Sequence, residues 1–263
     1  MNYKYLIIIC LCLPLCSFLH IWESRYHPKG IVELRTYKRE YQKGGRANGQ
    51  AGDYNLLYIQ EYRADKPFKF TQYDFGDTVK QTIYKYEGDL TKGLLTSKLD
   101  IVRKKVKKDF IKDTTWTVYH YKAFEWKADF SSTIHNKDTL YISAYNYDNA
   151  GYLRTEIRSK TNNEILSKTD YSYNAYGNCT AIKYYNYETE KFLLVDEYRI
   201  DYDLSRKKRV IGAQMYYRNF GEDWYLLEEY EMSKKGKYII ATEFTDKSDD
   251  SNFLEYKFEQ DFH

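Results

Sequence analysis

Carboxylates stand side by side on aromatic-rich stretches of this sequence, at Asp196-Glu197 and at Glu228-Glu229. A glycoside hydrolase needs two acids flanking one bond. These pairs are therefore the residues with which the chain could cut a glycan. The sequence holds 38 acidic residues, however, a density at which neighbours arise by chance. No other catalytic pattern is present. There is no Gly-x-Ser-x-Gly elbow and no His-Glu-x-x-His. The histidines, His20, His27, His120, His135 and His263, lie outside metal spacing of one another and of any cysteine pair, so no zinc site is expected. Asp246, Asp249, Asp250 and Asn252 could ligate calcium, but the segment lacks the Gly and terminal Glu of an EF-hand and reads as an acidic turn. The glycines of 43–52 lack the Gly-Lys-Ser ending of a phosphate cradle. We expect no catalysis and no cofactor.

The other candidate chemistry is aromatic. Tyrosine accounts for 31 of the 263 residues. Tyr184, Tyr187, Tyr216, Trp224 and Tyr225 recur at equivalent points of successive segments. Such rings can form cross-strand ladders that hold a thin sheet together. They can also form an exposed stripe that stacks on a cell-surface glycan or a partner protein. A formal charge of +3 gives no reason to expect nucleic acid. The basic run Arg103 to Lys108 reads as a solvated strand or short helix.

Residues 1–22 bear on the compartment. A short basic start precedes the apolar run Tyr5 to Phe18, which suits a secretory signal better than a full membrane span. Leu13-Pro-Leu-Cys16 resembles a bacterial lipoprotein box, with Leu15 where a small residue is usual, so Cys16 is the candidate lipidation site. A cleaved signal, a lipoprotein leader and an uncleaved anchor all fit. The expected location is the periplasm or cell surface, with the membrane reached through this segment. Cys10, Cys12 and Cys16 lie in the leader and leave Cys179 alone, so no disulfide can form in the remainder.

The elements that would position the aromatic residues follow from alternation. Leu140 to Tyr147, Tyr152 to Ser159, Ile165 to Tyr173, Thr180 to Tyr187, Phe192 to Tyr202, Val210 to Tyr217, Trp224 to Met232 and Lys237 to Phe244 read as strands. Phe253 to Phe258 ends the series. A recurrent signature closes the hairpins: Tyr145-x-Tyr147-Asp148-x-x-Gly151, then Tyr171-x-Tyr173-Asn174-x-x-Gly177. Two worn copies start at Ile200 and Tyr230, so the offsets are 26, 29 and 30 residues. A period of this size marks one supersecondary unit repeated. In the unit, Asp or Asn opens the turn and Gly closes it at positive φ. Residues 23–139 read as a less regular β region with the Gly-rich loop 43–52, and its strands fall at Ile31 to Lys38, Asn55 to Arg63, Pro67 to Asp74 and Thr78 to Glu87. Residues 140–263 carry the hairpin repeats and continue the same sheet.

From Tyr145 to Leu153 the chain resembles the YD-repeat (Rhs-like) family, whose unit is Tyr-x-Tyr-Asp-x-x-Gly-Arg-Leu. Tyr145, Tyr147, Asp148, Gly151 and Leu153 match, and Tyr171, Tyr173, Gly177 and Asn178 match the Gly-Asn variant. The resemblance implies β-hairpins whose signature residues turn and pack the chain. It also implies a few-copy secreted or lipid-anchored protein of the Bacteroidetes type. The fold expected is all-β, an antiparallel meander of hairpins in an elongated twisted sheet. The function expected is a structural or binding role in the cell envelope. A glycan hydrolase and an outer-membrane barrel are the alternatives. Ser167 and Thr169 share a face with Ile165, and Asn186 shares one with Ile182. Those polar residues count against a lipid-facing band.

Overall fold

Each strand of this chain hydrogen-bonds to the strand before it. The computed structural model describes residues 31–42, 55–64, 66–74, 77–88, 93–106, 109–121, 127–206, 210–232, 239–244 and 252–262. The leader with Cys16, the Gly-rich loop and the acidic turn at Asp246 to Asp250 lie outside the described residues. The strands are β1 (Ile31–Gln42), β2 (Asn55–Arg63), β3 (Lys66–Asp74), β4 (Asp77–Glu87), β5 (Leu94–Val106), β6 (Asp109–Tyr121), β7 (Ala128–His135) and β8 (Asp138–Tyr147). They continue as β9 (Leu153–Ser159), β10 (Ile165–Tyr173), β11 (Cys179–Glu188), β12 (Lys191–Leu204), β13 (Val210–Asn219), β14 (Tyr225–Met232), β15 (Ile239–Phe244) and β16 (Asn252–Phe262). The all-β antiparallel meander expected from the alternation is what forms. The structure adds closure: β1 pairs with β2 on one side and with β16 on the other, so the strands make a barrel.

The turn chemistry explains the repeat. At the first signature, Gly151 N donates to Asp148 O at 2.9 Å, and Asp148 N donates to Tyr152 O at 2.9 Å. Asp148 Oδ1 accepts from Tyr152 N at 2.9 Å. The second signature repeats the pattern. Gly177 N donates to Asn174 O and Asn174 N to Asn178 O, both at 2.9 Å, and Asn174 Oδ1 accepts from Tyr176 N and Asn178 N at 3.0 Å. Gly151 and Gly177 close these turns at φ of 90° and 73°, a region that a Cβ makes unfavourable. The repeat is thus a turn in which one side-chain oxygen satisfies backbone donors that the hairpin leaves over.

Register sorts the side chains into two faces. Ile182 opposes Tyr198, which opposes Tyr217, and Ile200 opposes Met215, which opposes Glu228. These residues share one apolar cluster with Tyr58, Tyr62 and Phe70 of β2 and β3. The cluster therefore bridges the lumen and fills this side of the barrel. The same inner face turns polar on β4 to β10. Thr82, Thr117, Ser131, Thr133, Ser143 and Thr169 are buried there. Ser143 Oγ and Arg158 Nε each donate to Glu156 Oε1 at 2.8 Å, and Ser131 Oγ lies 2.7 Å from Tyr145 Oη. Burial, reinforced by the charge of Glu156, pushes the Tyr145 hydroxyl well above the ordinary phenol range. Ser167, which pairs with Asn186, belongs to this inner face. Ser167, Thr169 and Asn186, which counted in the sequence against a lipid-facing band, thus lie on the inner face. Outward positions on β5 to β9 are mostly apolar, interrupted by Ser97, Thr114, His120, Ser132 and Thr155.

Sequence periodicity left Leu99 to Lys112 ambiguous and resumed at Trp116 to Trp126, of which residues 122–126 lie outside the described residues. Leu99 to Val106 lies in β5 and Asp109 to Lys112 opens β6, and β7 follows as a separate strand. The basic run Arg103 to Lys108 interrupts the hydrophobic alternation in the sequence, so it does not show where β5 ends and β6 begins.

Candidate binding face on β11 to β13

Three oppositely charged side chains line up across the outward face of β11, β12 and β13. Lys183 opposes Glu197, and Glu197 opposes Arg218. Lys183 Nζ lies 2.7 Å from Glu197 Oε1. Arg218 donates to Oε2 from Nε at 2.9 Å and from Nη2 at 2.5 Å. Each carboxylate oxygen thus has its own cation. Glu197 is 6% exposed. Its burial pulls the carboxyl upward, but the hydrogen bonds from Lys183 and Arg218 outweigh that and hold it below the ordinary range.

The row continues through aromatic rings. The Arg218 guanidinium carbon lies 4.4 Å from the Trp224 ring centroid. Arg199 lies 5.3 Å from that ring and 4.4 Å from Tyr216, which it faces directly across the ladder. Tyr216 Oη donates to Gln214 Oε1, and Gln214 Nε2 donates to Glu229 Oε1, both at 2.9 Å. Arg199 also lies 3.3 Å from Asp201. The turn after β13 positions Trp224: Phe220 N donates to Val195 O at 2.8 Å, and Glu222 N to Asn219 O at 3.1 Å. Tyr216 and Trp224 are both half-buried, so part of each ring remains open to solvent. The face offers flat apolar surface beside fixed planar donors, with cations and acids balanced.

The five aromatic residues singled out in the sequence divide between the two faces. Tyr216 and Trp224 share the outward row. Tyr187 stands beside the next turn with its ring 5.0 Å from Phe192. Near it, Lys168 Nζ sits 4.3 Å from the Tyr185 ring and 5.1 Å from Phe192. Tyr184 and Tyr225 face the interior, packed against the apolar cluster. Tyr184 meets Tyr198 edge-on at 5.8 Å, and Tyr225 meets Tyr217 at 5.5 Å. Sequence reasoning missed Arg199 and Arg218. No local signal marks them, because their partners Tyr216 and Glu197 are set by the register of β12 and β13.

The adjacent acids diverge. Asp196 faces inward, where it accepts from Tyr217 Oη at 2.7 Å, while Glu197 faces outward. Glu228 is 2% exposed on the inner face, and Glu229 lies on the other. Consecutive strand residues point to opposite sides, so neither pair can flank one bond. His120 stacks on Phe130 at 4.2 Å, and His135 Nδ1 lies 3.1 Å from Thr114 O and 3.2 Å from Asp113. Among the described residues, no three His, Cys, Asp or Glu side chains gather as a metal set. Cys179 is fully buried, and burial pushes its thiol up to about 12.

No protein-family profile and no curated protein sequence matches the chain. Among solved structures, it is similar to a porin-like protein from Bacteroides uniformis, at 8% identity and a TM-score of 0.41, covering 90% of this chain and 99% of that one. A porin-like protein from Bacteroides vulgatus is similar at 12% identity and a TM-score of 0.34, with the same coverage. A TcdB2-TccC3-TEV structure aligns at 13% identity and a TM-score of 0.21 over 81% of this chain and 14% of that one.

Proposed function

We propose that this is an exported cell-envelope barrel with a non-catalytic binding role, and that it binds a carbohydrate through the outward row Arg199, Tyr216, Trp224 and Arg218. The observation that carries the reading is the stacking of two guanidiniums on Trp224 and Tyr216 at 4.4 Å. It presents ring surface with the donors already held in place, which lowers the ordering penalty on binding. Lys183, Arg199 and Arg218 are balanced nearby by Glu197, Asp201 and Glu229. That balance favours a neutral sugar over an anionic polymer such as nucleic acid. The apolar leader supports export. Its Cys16 supports a lipid tether, and the Tyr-x-Tyr-Asx-x-x-Gly hairpins support the kinship with few-copy YD-repeat proteins of the Bacteroidetes type. The test is a glycan array probed with the wild type and with Trp224→Ala. Binding by the wild type that falls at least ten-fold in the variant supports the reading. Binding that the variant retains, or no binding by either, removes it.

An outer-membrane barrel is the second reading, favoured by closure of the sheet and by the apolar outward side of β5 to β9. The charged outward row on β10 to β13 counts against a continuous lipid belt. A folded band that runs faster than the heated one on a gel would favour it.

A further inference from the structure

The outward side of the barrel changes character between β9 and β10. On β5 to β9 the register sets Leu99 beside Trp116 and Trp116 beside Ile134. Phe130 stands beside Ala144, and Ala144 beside Ile157. Val118, Leu140 and Ile142 occupy outward positions between them, and Trp116 and Leu140 are 44% and 47% exposed. A surface of contiguous large apolar side chains signals a contact. On β10 to β13 the same side bears Lys168, Asp170, Lys183, Glu197 and Arg218, which hydrocarbon would not accept.

We propose that the outward flank of β5 to β9 is a lipid contact that enters one leaflet of an anionic membrane and does not span it. Three observations identify lipid as the occupant. The first is height. The outward run extends four residues along a strand, from Phe130 through Ser132 to Ile134 and from Leu140 through Ile142 to Ala144. At about 3.3 Å per residue that is roughly 13 Å along the strand, or about 10 Å of height at a barrel strand's usual tilt of ~40°, well under the ~25 Å belt of a spanning barrel and comparable to the depth reached by interfacial elements. The second is charge. The exposed margins of the flank carry the cations Lys85, Arg103, Lys112 and Lys137 against the acids Glu87 and Asp138, a positive border that matches lipid phosphates. The third is shape. A groove of about 390 Å³ runs beside Trp116, lined by Thr114, Val118, Ile134, Asn136 and Lys137. Its floor is apolar, and its polar mouth holds a cation. An acyl chain fits the floor and a phosphate fits the mouth.

The full chain with Trp22, Trp126 and Trp224 changed to Phe leaves Trp116 as the sole indole. It is mixed with phosphatidylcholine vesicles containing about a third phosphatidylglycerol, with some lipids brominated either high on the acyl chain or near its end. The proposal expects Trp116 fluorescence to be quenched by the high bromines and much less by the deep ones. It expects Ile134→Glu to abolish that quenching. Each of Arg103→Gln and Lys137→Gln should weaken binding about five-fold, since a cation near an anionic surface contributes about 1 kcal/mol. Circular dichroism of each variant confirms its strand content. Vesicle binding without quenching of Trp116 would mean that the leader alone holds the membrane, and would overturn the proposal. Equal quenching by deep bromines would mean a spanning barrel and would overturn it too. A wild type that ignores both vesicle types does the same. None of these outcomes bears on glycan binding at Trp224.

Discussion

Arg218 lies over Trp224 at 4.4 Å while its Nε reaches Glu197 at 2.9 Å, so one guanidinium joins a buried carboxylate to an open ring. Arg199 also faces Trp224, but its acid partner Asp201 is 55% exposed. The two arginines should therefore differ in what their loss does. Arg218→Ala strips the cation from one oxygen of a carboxylate that is almost shielded from water. It should lower stability by about 1.5–3 kcal/mol. Arg199→Ala should lower it by less than about 1 kcal/mol. Urea unfolding midpoints, compared at equal slope, check the order.

Acid should weaken the barrel partly through Glu197. Its carboxyl is held below the ordinary range in the folded protein. The stabilisation is therefore present above the unfolded value of about 4.3 and is lost as pH falls through the lower folded value. Lys183 shifts the other way: its hydrogen bond to Glu197 raises it, and its contribution is lost only as strongly alkaline pH passes the folded value. Glu197→Gln should be less stable than the wild type at neutral pH and should show a shallower loss between pH 5 and 3, as about 4.3 is crossed. Thermal melts across that range read both effects. Parallel curves for the two proteins would contradict the assignment.

The hairpin signature should be sensitive at its glycines. Gly151→Ala and Gly177→Ala each force a Cβ into the left-handed region, at φ of 90° and 73°, and should each destabilise by about 1–2 kcal/mol. Asp148→Ala removes the acceptor of Tyr152 N and the partner of Arg154 and should act in the same direction. A control change in the turn but outside its bonding pattern, Ala175→Ser, should be near neutral. Denaturant titration of the four variants is the check.

Cys179 should behave as a packing residue. It is fully buried and its thiol is pushed up to about 12, so little thiolate exists at neutral pH. Iodoacetamide should leave the peptide containing Cys179 unmodified in the folded protein and alkylate it in denaturant, as read by mass spectrometry. Rapid labelling of the native chain would contradict the burial.

Much of this fold was legible in the residues. Tyr141, Ser143, Tyr145 and Tyr147 alternate against Leu140, Ile142 and Ala144, and Asp148 and Gly151 say where that strand ends. Which face is inner was not legible. On β9 the alternation sets Leu153, Thr155 and Ile157 against Arg154, Glu156 and Arg158, yet Glu156 and Arg158 face the lumen and Ile157 faces out. Tyrosine deepens the ambiguity, because Tyr184 and Tyr185 are neighbours and each finds a suitable side. Closure was hidden as well. The pairing of β1 with β16 joins residues more than two hundred apart, and no local turn chemistry announces it. The binding row depends on register, which only the paired strands reveal: Arg199 meets Tyr216 because the β12–β13 ladder runs without a shift from the Asp196–Asn219 pair to the Asp203–Gly212 pair.

Inner and outer faces exist only if the sheet closes, so closure is the claim to test first. Thr36 of β1 and Phe258 of β16 are direct partners in the ladder. Cα atoms of opposed antiparallel residues lie ~4.5–5.5 Å apart, within the reach of a disulfide. The measurement is oxidation of a chain carrying Thr36→Cys and Phe258→Cys, with Cys10, Cys12, Cys16 and Cys179 changed to Ser. The account predicts a quantitative intramolecular disulfide, seen as a faster band without reductant and as one cross-linked peptide by mass spectrometry. A chain that stays reduced, or links only between molecules, would contradict it.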